Sequence, residues 1–389
     1  MNIGILATVD PSVGGGYQYM MTLIDSLRSI DTSGNQFFVF YTDPGFPHSV
    51  YEGGNWHAVR ISDKKPPADI FRKAVKLLFP GYRPAYFGTK YRVIREKKID
   101  LLIDTSICLV GYYSETPYIF TIHDLMHRYY KEFPEIKLHD RVLRDIIFSR
   151  VANTARLVLV DSLRGKEDAM KFYKIPAERI RILSTAPSKE FFDAMDDNDI
   201  KSILEKFNLP DEYIFYPAQF WHHKNHIALL QAMKVLQTKY NCHISAVFTG
   251  SDKGALKDVL CKAEELGLKA MVHYLGYVSE KEKVALYRRA KALVMPSFFG
   301  PANIPVWEAF ASGCPVLTSD VHGISDQVGD AGLLFDPKSP NDIADKLNTL
   351  FTDRQAREIF IRKGLDRIKE LAPSRYARTI LDIINKAAA

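Results

Sequence analysis

The chain has 389 residues, 47% hydrophobic and 25% charged, which exceeds one ordinary domain and excludes a disordered or fibrous protein. No run approaches the roughly 18 apolar residues that span a bilayer. The cysteines (Cys108, Cys242, Cys261 and Cys314) lack C-x-x-C spacing, so neither a zinc module nor a disulfide framework organises the fold. They are expected to be reduced core thiols of a cytoplasmic protein.

The formal net charge of +6 is unevenly placed. Between Asp69 and Lys98 nine Lys or Arg face two acids, a local charge of +7 that leaves −1 for the rest. Local basicity predicts a local anionic partner.

The amino terminus, Met1 to Val9, lacks a basic flank and runs straight into a turn, so it reads as a first buried strand rather than a signal peptide. Strands are predicted at Asn2–Thr8, Phe37–Tyr41, Asp100–Asp104, Tyr118–Ile122, Leu157–Asp161 and Ile180–Ser184. A second series follows at Tyr213–Pro217, Ile244–Thr249, Val272–Leu275, Ala292–Met295, Val316–Thr318 and Leu333–Phe335. Helical periodicity fills the gaps, as at Tyr17–Ile30, Val142–Val151, Ile227–Leu236 and Ile343–Leu350. Continuous apolar strands alternating with amphipathic helices predict α/β architecture: two doubly wound, Rossmann-like domains of parallel strands, facing a cleft. The break near Thr185–Asn208 places the domains at residues 1–188 and 189–373, with a helix over 374–389 crossing back to the first.

Four segments could carry chemistry. Gly14, Gly15 and Gly16 follow the first strand and open a helix, where backbone N–H groups can approach an anion; a flexible turn is the plain alternative. His123 stands just past a strand end, the usual ligand position in open parallel sheets. His127, four residues on, would make a metal pair with it, but no third ligand has a fixed spacing and no metal is expected. In the stretch Tyr216 to His226, Lys224 sits at a helix start, where a cation makes sense if an anion lies between them. A capped, solvated helix start is the plain alternative there. In Met295 to Gly313, a Gly/Pro loop leads to a helix opening near Ile304 and Pro305, and Glu308 lies one turn in, suited to sugar hydroxyls. Taken alone, such a glutamate would be ordinary surface charge.

Together these segments, with the strings His123-Asp124-Leu125, His223-Lys224-Asn225, Trp307 to Val316 and Asp330 to Pro337, resemble the retaining GT-B glycosyltransferases. That large family includes sucrose synthases and many bacterial mannosyltransferases, and the likeness covers nearly the whole chain. The resemblance implies that His123 meets the donor sugar and steadies its cationic transition state through its carbonyl or ring. It implies that Lys224 neutralises the diphosphate leaving group and that Glu308 holds the ribose. Asn303, Ile304 and Pro305 would offer backbone N–H groups to phosphate or sugar, and Gly14–Gly16 would shape the acceptor side. Two positions depart from the family pattern. Gly300 stands where a glutamate would complete Glu-x7-Glu with Glu308, and Gln219 stands on the donor side where an arginine is usual. They point to a subgroup with its own donor, ahead of the alternative of a weaker enzyme.

The resemblance further implies transfer of a hexose from a nucleotide diphosphate sugar, GDP-mannose ahead of a UDP-hexose, to a glycan or lipid-linked acceptor, with retention. Bacterial surface polysaccharide synthesis is the expected setting. No cofactor is expected, because cations and helix termini can steady the departing phosphate without a metal. A glycoside hydrolase would need two carboxylates flanking the bond, and no such pair stands out. The alternatives are a sugar-nucleotide epimerase or hydrolase of the same fold, and a non-catalytic nucleotide-sugar binder. The basic stretch 69–98 interleaves its cations with Phe71, Phe79, Tyr82, Tyr86, Phe87 and Tyr91. Its first part suits an amphipathic helix ending at Pro80, predicting peripheral contact with an anionic membrane surface. Nucleic acid is not expected, since no recognition motif accompanies the basic stretch.

Overall fold

Apolar runs that are hydrophobic at every position can be satisfied only in a sheet covered on both faces, and this is what the chain builds. A computed structural model describes residues 1–62, 67–79, 81–82, 88–107, 109–300, 302–321 and 323–388. Pro80, Arg83, Tyr86, Phe87 and Cys108 lie outside the described residues.

The chain forms two compact units. Unit 1 comprises Met1–Tyr129, Ile136–Ser184 and Pro373–Ala389; unit 2 comprises Tyr130–Glu135 and Thr185–Ala372. The seven strands of unit 1 are β1 (Asn2–Ala7), β2 (Gln36–Tyr41), β3 (Trp56–Arg60), β4 (Leu101–Asp104), β5 (Tyr118–Ile122), β6 (Leu157–Val160) and β7 (Ile180–Ile182). They pair in parallel in the order β3-β2-β1-β4-β5-β6-β7. The strands of unit 2 are β8 (Tyr213–Pro217), β9 (Ser245–Thr249), β10 (Val272–Tyr274), β11 (Ala292–Met295), β12 (Val316–Ser319) and β13 (Gly332–Phe335). Their order, β10-β9-β8-β11-β12-β13, repeats the same winding.

Each sheet therefore reverses direction once, between β1 and β4 and between β8 and β11. Crevices beyond the carboxyl ends of strands at such a reversal are where open α/β sheets bind ligands. Connections diverge there in opposite directions, leaving strand-end backbone uncovered. The helix Pro373–Ala388 belongs to unit 1 and packs on the helix Gly15–Arg28.

The edge strand β3 is absent from the sequence expectation. Its residues Trp-His-Ala-Val-Arg are only half-buried after Trp56, so the continuous apolar signature is missing. The cysteines also differ from expectation: Cys314 is buried, but Cys242 is half-buried and Cys261 exposed. Cys242 follows the helix His226–Tyr240 in the loop before β9, and Cys261 lies on the helix Leu256–Glu265. Among the described residues no helix is long and apolar enough to cross a membrane.

The helix Pro67–Leu78 is amphipathic as predicted, yet it turns its polar side inward. Asp69 and Lys76 are buried, with Lys76 Nζ 2.9 Å from Glu115 Oε1 and the Asp69 carboxylate accepting from the Gly88 N–H. Lys73 lies over the Tyr91 and Tyr113 rings. Ile70, Phe71, Leu78 and Phe79 face solvent, Phe71 being 71% exposed.

Candidate functional site

In unit 2, the segments after β8 and β11 are knit together at the sheet reversal. The turn His222–Lys224 ends on Asn225, whose left-handed backbone (φ 58°) caps the helix His226–Tyr240. Asn tolerates that conformation better than most residues. Its side-chain amide donates to the Pro296 and Pro337 carbonyls, at 3.0 and 2.8 Å, fastening the ends of β8, β11 and β13 to one another. The Phe298 N–H donates to the His223 carbonyl at 2.9 Å. Two strings more than 70 residues apart thus form one surface.

Lys224 is half-buried in this array, and its carbonyl accepts from the Tyr216 hydroxyl at 2.9 Å. His223 is anchored by Glu135, whose Oε1 accepts its N–H at 3.1 Å and lies 2.6 Å from Nδ1. Burial raises the Glu135 carboxyl pKa, but the hydrogen bonds and charge of His223 outweigh that and hold it low. His226 is different: both ring nitrogens are buried with no hydrogen-bond partner, and the ring stacks on Phe220 at 4.3 Å. Burial, with Lys224 and His223 nearby, pushes its pKa down to about 3, so it is a neutral core aromatic.

Gln219 ties its own loop to the one after β9, with Trp221 Nε1 donating to its Oε1 and its Nε2 donating to Ser251 Oγ, both at 3.1 Å. Gly300 has φ 154°, and a Cβ there would stand 2.5 Å from Asn303 Oδ1. The space a side chain at Gly300 would enter is occupied by the Asn303 amide, which donates to the Gly300 carbonyl at 3.0 Å. Gln327 clamps the Asn303 backbone, accepting from its N–H at 2.8 Å and donating to its carbonyl at 2.7 Å. The Asn303 N–H is thus engaged within the protein, and Pro305 has none, so of the three residues Ile304 has the N–H outside this clamp.

Glu308, on the helix Ile304–Ala311, is 1% exposed. Lys283 Nζ donates to its Oε1 at 2.7 Å, and the Tyr287 hydroxyl donates to its Oε2 at 2.9 Å. Lys283 also meets Glu280 at 2.9 Å, and Glu280 accepts from Ser188 Oγ at 3.0 Å. Burial lowers the Lys283 pKa, but the two carboxylates outweigh it and keep the ammonium charged. The sequence reading missed Lys283 and Tyr287, although their i, i+4 spacing on one helix could have paired them.

In unit 1, Gly14 adopts φ 72° as the cap of the helix Gly15–Arg28, a conformation that favours glycine, and a side chain at Gly15 would meet open space. That helix carries Tyr19, whose ring stands edge-on to His123 at 4.6 Å. His123 Nδ1 lies 3.2 Å from Asp161 Oδ2, and Nε2 lies 3.1 Å from the Thr105 carbonyl oxygen. Burial pushes the imidazole pKa down, but the Asp161 charge, its hydrogen bond and the Thr105 carbonyl lift it to about 9. His127 turns to other partners, Asp145 and Tyr173, so the two histidines do not share a ligand set. Among the described residues no group of three or more His, Cys, Asp or Glu is gathered to hold a metal ion.

Residues 198–367 match the model of the family described as glycosyl transferases group 1. The fold is the GT-B fold. It is similar to sucrose-phosphate synthase from Thermosynechococcus elongatus, at a TM-score of 0.77 and 18% identity over 99% of this chain and 98% of the other. It is also similar to Anabaena Alr3699/HepE in complex with UDP and glucose, at 0.74 and 16% over 99% of each. At such identities the likeness is one of fold. In sequence it is 29% identical over 222 residues to O-antigen chain mannosyltransferase B of Escherichia coli. That match covers 57% of this chain and 58% of the relative, less than two thirds of the relative's length.

Proposed function

We propose that the protein transfers a hexose, mannose by preference, from a nucleotide diphosphate sugar to a glycan or lipid-linked acceptor. The observation that carries this is the array at the β8/β11 reversal, where Lys224, two helix starts and the buried Glu308 are brought into one unit. Helix starts and a lysine favour a diphosphate. A carboxylate held by Lys283 and Tyr287 is preorganised to accept from ribose hydroxyls. Mannose, and a setting in surface polysaccharide synthesis, are supported by the likeness to an O-antigen mannosyltransferase. A nucleotide-sugar donor is supported by the fold shared with a protein bound to UDP and glucose.

In the reaction, the bond from the anomeric carbon to the diphosphate oxygen breaks as the acceptor oxygen bonds to that carbon. The acceptor proton passes to the departing phosphate. Retention follows the family pattern, and charge stabilisation by Lys224 and helix N–H groups takes the place of a metal. The outward apolar face of the helix Pro67–Leu78 supports peripheral docking on an anionic membrane, where a lipid-linked acceptor resides. Its cations Lys73 and Lys76 lie against the protein, so apolar insertion drives the contact more than those charges do.

A donor screen tests the proposal. The purified protein is incubated with radiolabelled GDP-mannose or UDP-hexoses, with and without lipid-linked acceptors, and with EDTA. Acceptor-dependent label transfer from GDP-mannose that survives EDTA is expected. Label released or converted without acceptor would replace the reading with a hydrolase or epimerase, and binding without turnover would replace it with a sensor.

A further inference from the structure

We propose that Asp161 is the positioning carboxylate of His123, holding its ring as a charge-balanced pair in the transfer reaction read above. The placement arises from the sheet. Parallel pairing of β5 with β6 sets Ile122 beside Val160, so residues 123 and 161 emerge next to each other just past the strand ends. Thr105 emerges in the same way one residue beyond β4, the neighbouring strand. Three adjacent strand ends therefore supply a carbonyl, an imidazole and a carboxylate in one row.

The chemistry of the two partners decides the state of the ring. A backbone carbonyl can only accept a hydrogen bond, and so can an ionised carboxylate. With Thr105 O at 3.1 Å from Nε2 and Asp161 Oδ2 at 3.2 Å from Nδ1, both ring nitrogens are called on to donate, which requires the imidazolium. The groups that face it are Tyr19 from the helix after β1, and Asp161, Asp124 and the Thr105 carbonyl from the strand ends. Tyr376, on the helix Pro373–Ala388, lies close to Tyr19 and Asp161 and adds no charge. Asp161 is 4% exposed, so its charge is little screened by solvent.

This narrows what His123 can do. Both N–H groups are engaged within unit 1, so the ring offers a ligand its fixed position and its balanced charge, and the main-chain carbonyl stays available for the sugar. Without Asp161 the ring would lose its counter-charge, become neutral near physiological pH and be free to rotate. The proposal rests on His123 meeting the donor, so its test has a readout that does not depend on activity.

Imidazole carbon and nitrogen shifts of His123 are followed by NMR against pH in the full-length protein, using His123→Gln to assign the resonance. In wild type the ring should titrate near pH 9 with both nitrogens protonated below it. Asp161→Asn should lower that midpoint by about 2 pH units, and the alkaline limb of the transfer rate should move the same way. Asp161→Glu should restore most of the shift, and it serves as the reporter if the Asn variant does not fold. A midpoint within about 0.3 units of wild type in a folded Asp161→Asn protein would overturn the pairing. A rate profile that ignores a shifted midpoint would overturn the pair's part in the transfer. A shifted midpoint in a protein that transfers no sugar at all would sustain the pair and remove the reaction it was assigned to.

Discussion

The two units wind their strands in the same order but secure their strand ends differently. In unit 2 the segments after β8, β11, β12 and β13 are held together by direct hydrogen bonds from Asn225, Phe298 and Gln327. Beneath them sits a buried ion pair, Lys283–Glu308. In unit 1 the corresponding end is organised around one ring, His123, and elsewhere in the unit large apolar side chains are exposed on Pro67–Leu78 and on Leu138–Ile147. The family model matches only within unit 2. Under the proposed function the contrast has a physical basis: a nucleotide diphosphate is chemically constant and rewards a rigid, preformed receptor, whereas acceptors vary and leave the other unit free to diverge.

The sharpest test of rigidity in unit 2 is Lys283→Met. Removing one partner of a buried ion pair should destabilise the protein by about 4 kcal/mol, read by urea unfolding. Adding Glu308→Leu should recover much of that loss. A single variant within about 1 kcal/mol of wild type would mean that the pair is wetter than its burial indicates.

Lys224→Ala comes next, with an expected loss of about 3 kcal/mol in kcat/KM and an unfolding curve that barely moves. Activity within about threefold of wild type would break the link between the loop array and the diphosphate.

His226→Phe probes the same array through pH. The folded pKa of about 3 lies below the ordinary 6.5, so the stability tied to the neutral ring is complete above pH 6.5 and is lost as pH falls towards 3. At pH 5 that loss is about 2 kcal/mol, and the Phe variant should be free of it. An unchanged stability difference between pH 7 and pH 5 would show that the ring finds a partner on protonation.

The smallest expected effect belongs to unit 1. Phe71→Ser with Phe79→Ser should change unfolding stability by no more than about 0.5 kcal/mol, since both rings already face water. The same pair should reduce co-sedimentation with anionic liposomes. Undiminished liposome binding would leave the exposed face without its proposed role and weaken the contrast between the units.

Most strands were legible because their signal is local. A strand buried on both faces must be apolar at successive positions, as in Leu157–Val160 or Ala292–Met295. The half-buried edge strand β3 carries no such mark. Of the site, the motif residues stood out because glycine, proline and histidine cluster at strand ends, where turns and exposed backbone favour them. The direction of the helix Pro67–Leu78 was not legible: amphipathic periodicity says that two faces differ, and only the buried Lys76–Glu115 pair says which one is turned inward.

By itself the sequence determined the doubly wound class and the positions of the loops that follow β1, β5, β8 and β11. Tertiary structure alone decided which side chains meet. Asp161 is 38 residues from His123, and Lys283 is 25 from Glu308. Such partners leave no periodic trace, because their proximity is set by strand order and helix packing rather than by neighbouring residues. The same holds for Gly300, where the absence of a side chain has meaning only once the Asn303 amide is seen to occupy the space.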